Sequence, residues 1–322
     1  MSRIVQWNEL TGRDFARLEP RRAVAVCVLS PMEVHGPHLP VHTDMLEAGA
    51  LADRMLDKLA GDDAELTFVR TPPLFVATDV VPQRGSLQFR ASTVVAVATD
   101  LGRSLAAQGF RHIWVMSFHG GPRHFLALEK AATDVSVRYG CRMVSFFSLL
   151  LSRLTQGSHE LGDVLKGVAG LDRELLKGDT HGGLVETALM LHLDGDRVAR
   201  DYAELERKTV EMAFAQGTSS LVEPGGSGVG RIAQILRRFV FSRRYFEDNT
   251  YSGAPGAGAA ETGAAILDVL AEHAAAAARE LLAETVPLER CHSPIWPLRH
   301  LFLSGTLERA LDRVLGFKSA VF

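Results

Sequence analysis

No two cysteines in this chain stand close together. Cys27, Cys141 and Cys291 are the only three in 322 residues, and no CxxC pair occurs. That argues against a zinc knuckle or a dithiol redox pair. Small buried hydrophobes in a reducing compartment fit better. A basic excess is missing too. The 35 Lys and Arg face 38 Asp and Glu, a net charge of -3, so no global positive field recommends nucleic acid as a partner. No window offers eighteen apolar residues free of charge, and the opening MSRIVQWNEL lacks the apolar centre of a secretion signal. No membrane partner is expected, and the expected location is the cytoplasm. What is present is an ordinary globular composition, 47% hydrophobic and 23% charged, with length for a large core.

The first half alternates strand and helix. Apolar, β-branched runs occupy residues 23–29, 66–74, 112–118 and 142–147. Helical periodicity fills 44–59, 92–108 and 123–139, and in the first of these Leu46, Ala50, Leu51, Met55 and Leu59 recur on one face. The repetition predicts an α/β fold with a mostly parallel sheet and helices on both faces. Ligands of such sheets bind outside the carboxyl ends of the strands. Beyond residue 147 the pattern loosens. A nearly all-apolar helix is expected at 183–193, a basic and apolar stretch at 231–245, and an Ala-rich helix at 259–282. Residues 222–227 read as a loop. Residues 225–230 are glycine-rich but lack the Lys-Ser/Thr of a phosphate loop.

The densest chemistry follows the first strand. Glu33-Val34-His35-Gly36-Pro37-His38-Leu39-Pro40-Val41-His42-Thr43-Asp44 carries two carboxylates and three imidazoles. Leaving these groups unpaired off a buried strand is costly, and a metal is their simplest partner. In extended backbone Glu33 and His35 point the same way. Asp44 opens the next helix, either as a ligand or as its cap. His119, in Phe118-His119-Gly120-Gly121, follows another strand on the same rim, and the glycines let the backbone turn beside a ligand. Glu186 lies in the apolar helix, which supplies no Lys or Arg, so a metal or a hydrogen bond to protein must satisfy it. His38 and His42 read as supporting histidines. Glu33, His35, Asp44, His119 and Glu186 exceed the needs of one tetrahedral zinc. They suit a two-metal site with a bridging carboxylate and water. Mixed nitrogen and oxygen donors without thiolate suit zinc or manganese, with iron a further candidate.

The strings EVHGPHLPVHTD, SFHGG, GDTHGGLVETALML and YSGAPGAGAAETGAAIL, in that order, resemble the creatininase (creatinine amidohydrolase) family. The resemblance spans about residues 24–267. It implies a three-layer α/β sandwich over residues 1–286, with an insertion at about 204–249 and a C-terminal extension over 287–322. It implies two divalent ions, one on Glu33, Asp44 and His119 and the other on His35, Asp44 and Glu186, with Asp44 bridging. His181 matches the family histidine that acts near the substrate, and with Glu186 forms the expected catalytic pair. The implied activity is metal-dependent hydrolysis of a C–N bond in a linear or cyclic amide. Alternatives are a peptidase acting on a short precursor peptide, of the mycofactocin type, and a metal-binding scaffold without turnover. The implied partners are a small amide or short peptide and further copies of this chain, as a hexamer. Ser117 and Pro122 stand where the family has asparagines, and Gly121 where creatininases proper carry a ligand glutamate. Lys177-Gly178-Asp179-Thr180 precedes His181 without the tryptophans that cover creatinine, which argues against creatinine itself.

Overall fold

The computed structural model describes residues 3–156, 164–165, 167–217 and 229–321. The 222–227 loop and most of the glycine-rich stretch at 225–230 lie outside the described residues. Five strands form one sheet: β1 (Arg3–Gln6), β2 (Ala23–Val28), β3 (Thr67–Arg70), β4 (His112–Met116) and β5 (Arg142–Ser145). Their order is β1-β3-β2-β4-β5, and every pairing is parallel. The central strand β2, Ala-Val-Ala-Val-Cys-Val, is buried along its whole length, as a parallel strand covered on both faces must be.

Among the described residues the helices of eight residues or more are α1 (Thr43–Leu59), α2 (Ala91–Ala107), α3 (Pro122–Tyr139), α4 (Phe146–Gln156), α5 (Leu184–Asp194), α6 (Val210–Gly217), α7 (Val229–Asp248), α8 (Ala260–Leu282) and α9 (Gly305–Leu315). Strand alternation sorts them into layers. Val24, Val26 and Val28 pack with α1, α5 and α8 on one face. Ala23, Ala25 and Cys27 pack with α2 and α3 on the other. Gly263 lets α8 lie close on α5, because a Cβ there would strike the Ala188 carbonyl. All three cysteines are free and buried. Among the described residues no helix is long and apolar enough to cross a membrane.

Strand β1 is absent from the sequence reading. It is four residues long, half exposed and paired only along β3, so neither a long apolar run nor a local partner announces it. The C-terminal residues lie on the same body. Phe302 packs on Phe125 and Leu126 of α3, and Arg142 Nη2 donates to the Val286 carbonyl at 2.5 Å.

The strand order positions everything that follows. The chain leaves β2 for β3 on one side and later returns to β4 on the other. Diverging connections open a crevice beyond the carboxyl ends of β2 and β4, where ligands of open α/β sheets sit.

Candidate metal centre

The rim of β2 supplies the first donors. Past Leu29 the chain runs irregularly, turns at Gly36 with φ 73°, and enters α1 at Thr43. Glu33 is 1% exposed and His35 0%. His35 Nδ1 donates to the main-chain carbonyl of Glu33 at 3.0 Å. Its proton is thereby fixed on Nδ1, and Nε2 is left with a lone pair. Asp44 sits in the first turn of α1 without capping it: the N-cap is His42, and no side-chain cap bond forms. Its Oδ2 instead lies 3.3 Å from His35 Nε2.

The rim of β4 supplies His119. Its Nε2 donates to the carbonyl of Thr78 at 3.1 Å, so in the neutral ring Nδ1 is the free acceptor. That Nδ1 lies 2.9 Å from Glu33 Oε2 and 3.9 Å from Asp44 Oδ2. The loop after β3 thus orients two donors, since Val81 N–H also donates to Glu33 Oε1 at 2.5 Å. Ser117 ties the two rims together. Its Oγ lies 3.2 Å from Ser30 Oγ and 3.2 Å from His124 Nε2.

Glu186 comes from the first turn of α5. Asp179 builds that helix start, accepting from Leu184 N at 2.7 Å and Val185 N at 2.9 Å. Glu186 Oε2 accepts from Gly182 N–H and lies 3.8 Å from His35 Nε2. Both exits foreseen for this carboxylate are therefore in use or in reach. The preceding His181 pairs its backbone with Ser252. Its ring stacks on His35 with centroids 4.1 Å apart, and its Nε2 donates to the Val34 carbonyl at 2.8 Å.

These contacts gather the donors into three groups whose atoms lie within 4.8 Å of one another: Glu33–Asp44–His119, His35–Asp44–Glu186 and Glu33–His35–His181. The first two share Asp44. All five side chains expected as ligands, with His181, converge on one rim. His38 and His42 join none of the groups. His38 Nε2 lies 2.8 Å from Thr187 Oγ1, bracing the first motif against α5, and His42 pairs with Asp194 at 3.6 Å.

Glu33 Oε2, His35 Nε2 and Asp44 Oδ2 are buried and have no hydrogen-bond partner. With the imidazoles neutral, lone pairs would face lone pairs out of water, a conflict that a proton or a metal cation between them removes. The donor set fits zinc or manganese on that ground. The charges say the same. Burial pulls both imidazoles down, but carboxylates outweigh it: Asp44 and then Glu186 lift His35 well above its usual range, and Glu33 lifts His119 to about 9. Burial, with Asp44 beside it, pushes Glu186 up to about 7. His181 is driven down to about 3 by burial and then by His35, and stays neutral near pH 7.

Two residues near the centre escaped the sequence reading. Phe246 of α7 meets the His181 ring edge-on at 5.3 Å, brought there by a segment with no chemical motif. Glu47, one turn after Asp44 on α1, is 1% exposed. The buried face of α1 runs through Asp44, Glu47, Leu51 and Met55, while Leu46 and Ala50 of the expected stripe are only partly covered. A stripe drawn through apolar residues passes over a buried carboxylate; helical spacing from Asp44 was the available signal.

The family model described as creatininase, creatinine amidohydrolase, matches residues 8–278. Among solved structures, a glutamate-to-glutamine mutant creatininase complexed with creatine is 18% identical, with a TM-score of 0.58 over 87% of this chain and 99% of that one. A manganese creatininase and a mutant creatininase of the Zn-Zn type are each 19% identical, with the same TM-score and the same coverage. At such identity the likeness establishes the fold. No curated protein matches the chain.

Proposed function

The chain belongs to the creatininase family, a family of amidohydrolases, and from that premise we propose that it hydrolyses a C–N bond in a linear or cyclic amide at a pair of divalent cations. The observation that carries this reading is the pair of buried donor triads with Asp44 in common. Glu33, Asp44 and His119 would hold one cation, and His35, Asp44 and Glu186 the other. The manganese and Zn-Zn forms among the matched creatininases support these two metals. Bound cations supply polarisation of the amide carbonyl and a water acidic enough to act as nucleophile near neutral pH.

The protein's own share is positional and protonic. The Glu33 and Thr78 carbonyls hold His35 and His119 in the tautomers that present a lone pair inward. His181, anchored through Nε2, keeps Nδ1 as the atom that can accept a proton and pass it to the leaving nitrogen. Phe246 shields the outer edge of that ring. Gly121 in place of a ligand glutamate and Lys177–Thr180 in place of tryptophans direct the substrate away from creatinine.

Elemental analysis, followed by hydrolysis assays on amides, lactams and short peptides with and without Zn2+ or Mn2+, tests the proposal. Two metal equivalents per chain and metal-dependent amine release from one substrate class are expected. Full loading with no turnover on any of them would favour the scaffold, and failure to bind either metal would end the hydrolase reading.

A further inference from the structure

Glu47 stands outside the three donor groups yet cannot be assigned to the core. It lies on the buried face of α1, a helix that contacts α5 and β2, and both its carboxyl oxygens are buried without a hydrogen-bond partner. A neutral carboxylic acid placed there as filler would need an acceptor for its O–H, and none is in reach. An ionised carboxylate would need a cation, and among the described residues no Lys or Arg acts on it. The charges that act on it are those of Glu186, Asp44 and His35, which are the second donor triad. With no metal bound, burial comes first and the two neighbouring carboxylates add to it in holding the Glu47 carboxyl well above its usual range, so it is uncharged there; divalent cations on those carboxylates would reverse the field and favour its ionised form.

Charge counting gives this side chain a task. The two triads contribute three carboxylates, Glu33, Asp44 and Glu186, beside neutral imidazoles. With the bound water still neutral, two divalent cations would leave these ligands by themselves with one positive charge in excess, in a setting where uncompensated charge is costly. Asp179 also acts on Glu186, but its oxygens are engaged by the Leu184 and Val185 amides, whereas both oxygens of Glu47 are unpartnered. We propose that Glu47 is the outer counter-charge of the metal pair, an ionised carboxylate that raises the affinity of the His35–Asp44–Glu186 triad for its cation. It is a positioning residue: it acts on the cation through the field and through the neighbouring donors. This assignment rests on the two-metal reading above.

The test is metal binding by the full-length chain, stripped with a chelator and titrated with Zn2+ or Mn2+ alone, together with thermal unfolding before and after loading. Glu47→Gln keeps the shape and removes the charge. Its second equivalent should bind about 10- to 100-fold more weakly than in the unsubstituted protein, the size usual for groups supporting a metal's ligands. The stripped variant should melt no lower than the stripped parent, because glutamine matches the shape of the uncharged acid held there without metal, while its gain in Tm on loading shrinks. Glu47→Asp, which keeps the charge on a shorter arm, should recover most of the affinity and covers the case in which the glutamine variant fails to fold. Unchanged affinity for both equivalents in Glu47→Gln would overturn the proposal, as would a lower Tm when stripped with unchanged affinity, the mark of a merely structural residue. If the unsubstituted protein binds no metal, the two-metal reading itself falls and takes this one with it. If that protein binds two and the variants match it, only the role of Glu47 fails.

Discussion

A Cβ added to Gly121 would lie 2.5 Å from His119 Nε2 and 3.0 Å from Asp79, so this position has no room for even an alanine. The atom it would displace is the one His119 uses to hold the Thr78 carbonyl. Gly121→Ala should therefore loosen His119 and weaken metal binding about tenfold or more, read by titration of the stripped protein. Asp44→Ala acts on both triads at once, and elemental analysis should find both metals lost; full content would refute the shared carboxylate. His181→Ala should keep both metals and lose about two orders of magnitude in kcat. That these five side chains cluster was legible because each is a charged or imidazole side chain past an apolar strand or inside an apolar helix. Their orienting partners were not. The carbonyls of Thr78 and Glu33 and the amide of Val81 are main-chain groups that every residue possesses, so no residue type marks them.

Helix α5 carries Glu186 on its first turn, and its start depends on a residue outside it. Asp179 satisfies two of the amides that an α-helix leaves open. Asp179→Ala should cost about 1–2 kcal/mol in denaturant unfolding, and Asp179→Asn less, since the amide retains one acceptor. Loss of the cap also frees the turn that places Glu186, so metal affinity should fall with it. Among the elements, β2, β4, α1, α3 and α8 lie close to where apolar periodicity puts them. The ends moved where a neighbour intervenes. The run 142–147 stops being strand at Ser145 because Phe146 already begins α4. Strand β3 is four residues within the nine of 66–74, since only Thr67–Arg70 find partners on both β1 and β2. Pairing between strands sixty residues apart leaves no mark on either segment alone.

At the scale of the molecule, the C-terminal residues are tied to α3 through a buried acid. Glu129 Oε1 accepts from Ser293 N at 3.2 Å, while Oε2 has no partner, and burial lifts the carboxyl from an ordinary 4.5 to about 7. The folded state therefore holds a proton that the unfolded chain has released between those values. Its contribution is complete below about pH 4.5 and is lost as pH rises through about 7. Glu129→Gln cannot ionise, so its Tm relative to the parent should be higher at pH 8 than at pH 5. An equal difference at both would assign the pH dependence elsewhere. The order of the clustered side chains along the sequence has a consequence of another kind. Donors of the first triad end at residue 119, whereas the second waits for residue 186, and the loop anchoring His181 waits for Ser252. During synthesis from the N-terminus, a mononuclear chelate can thus exist on the ribosome well before its neighbour. On the two-metal proposal, a nascent chain would have its first binding site complete before its second, and the order of filling would follow the order of translation.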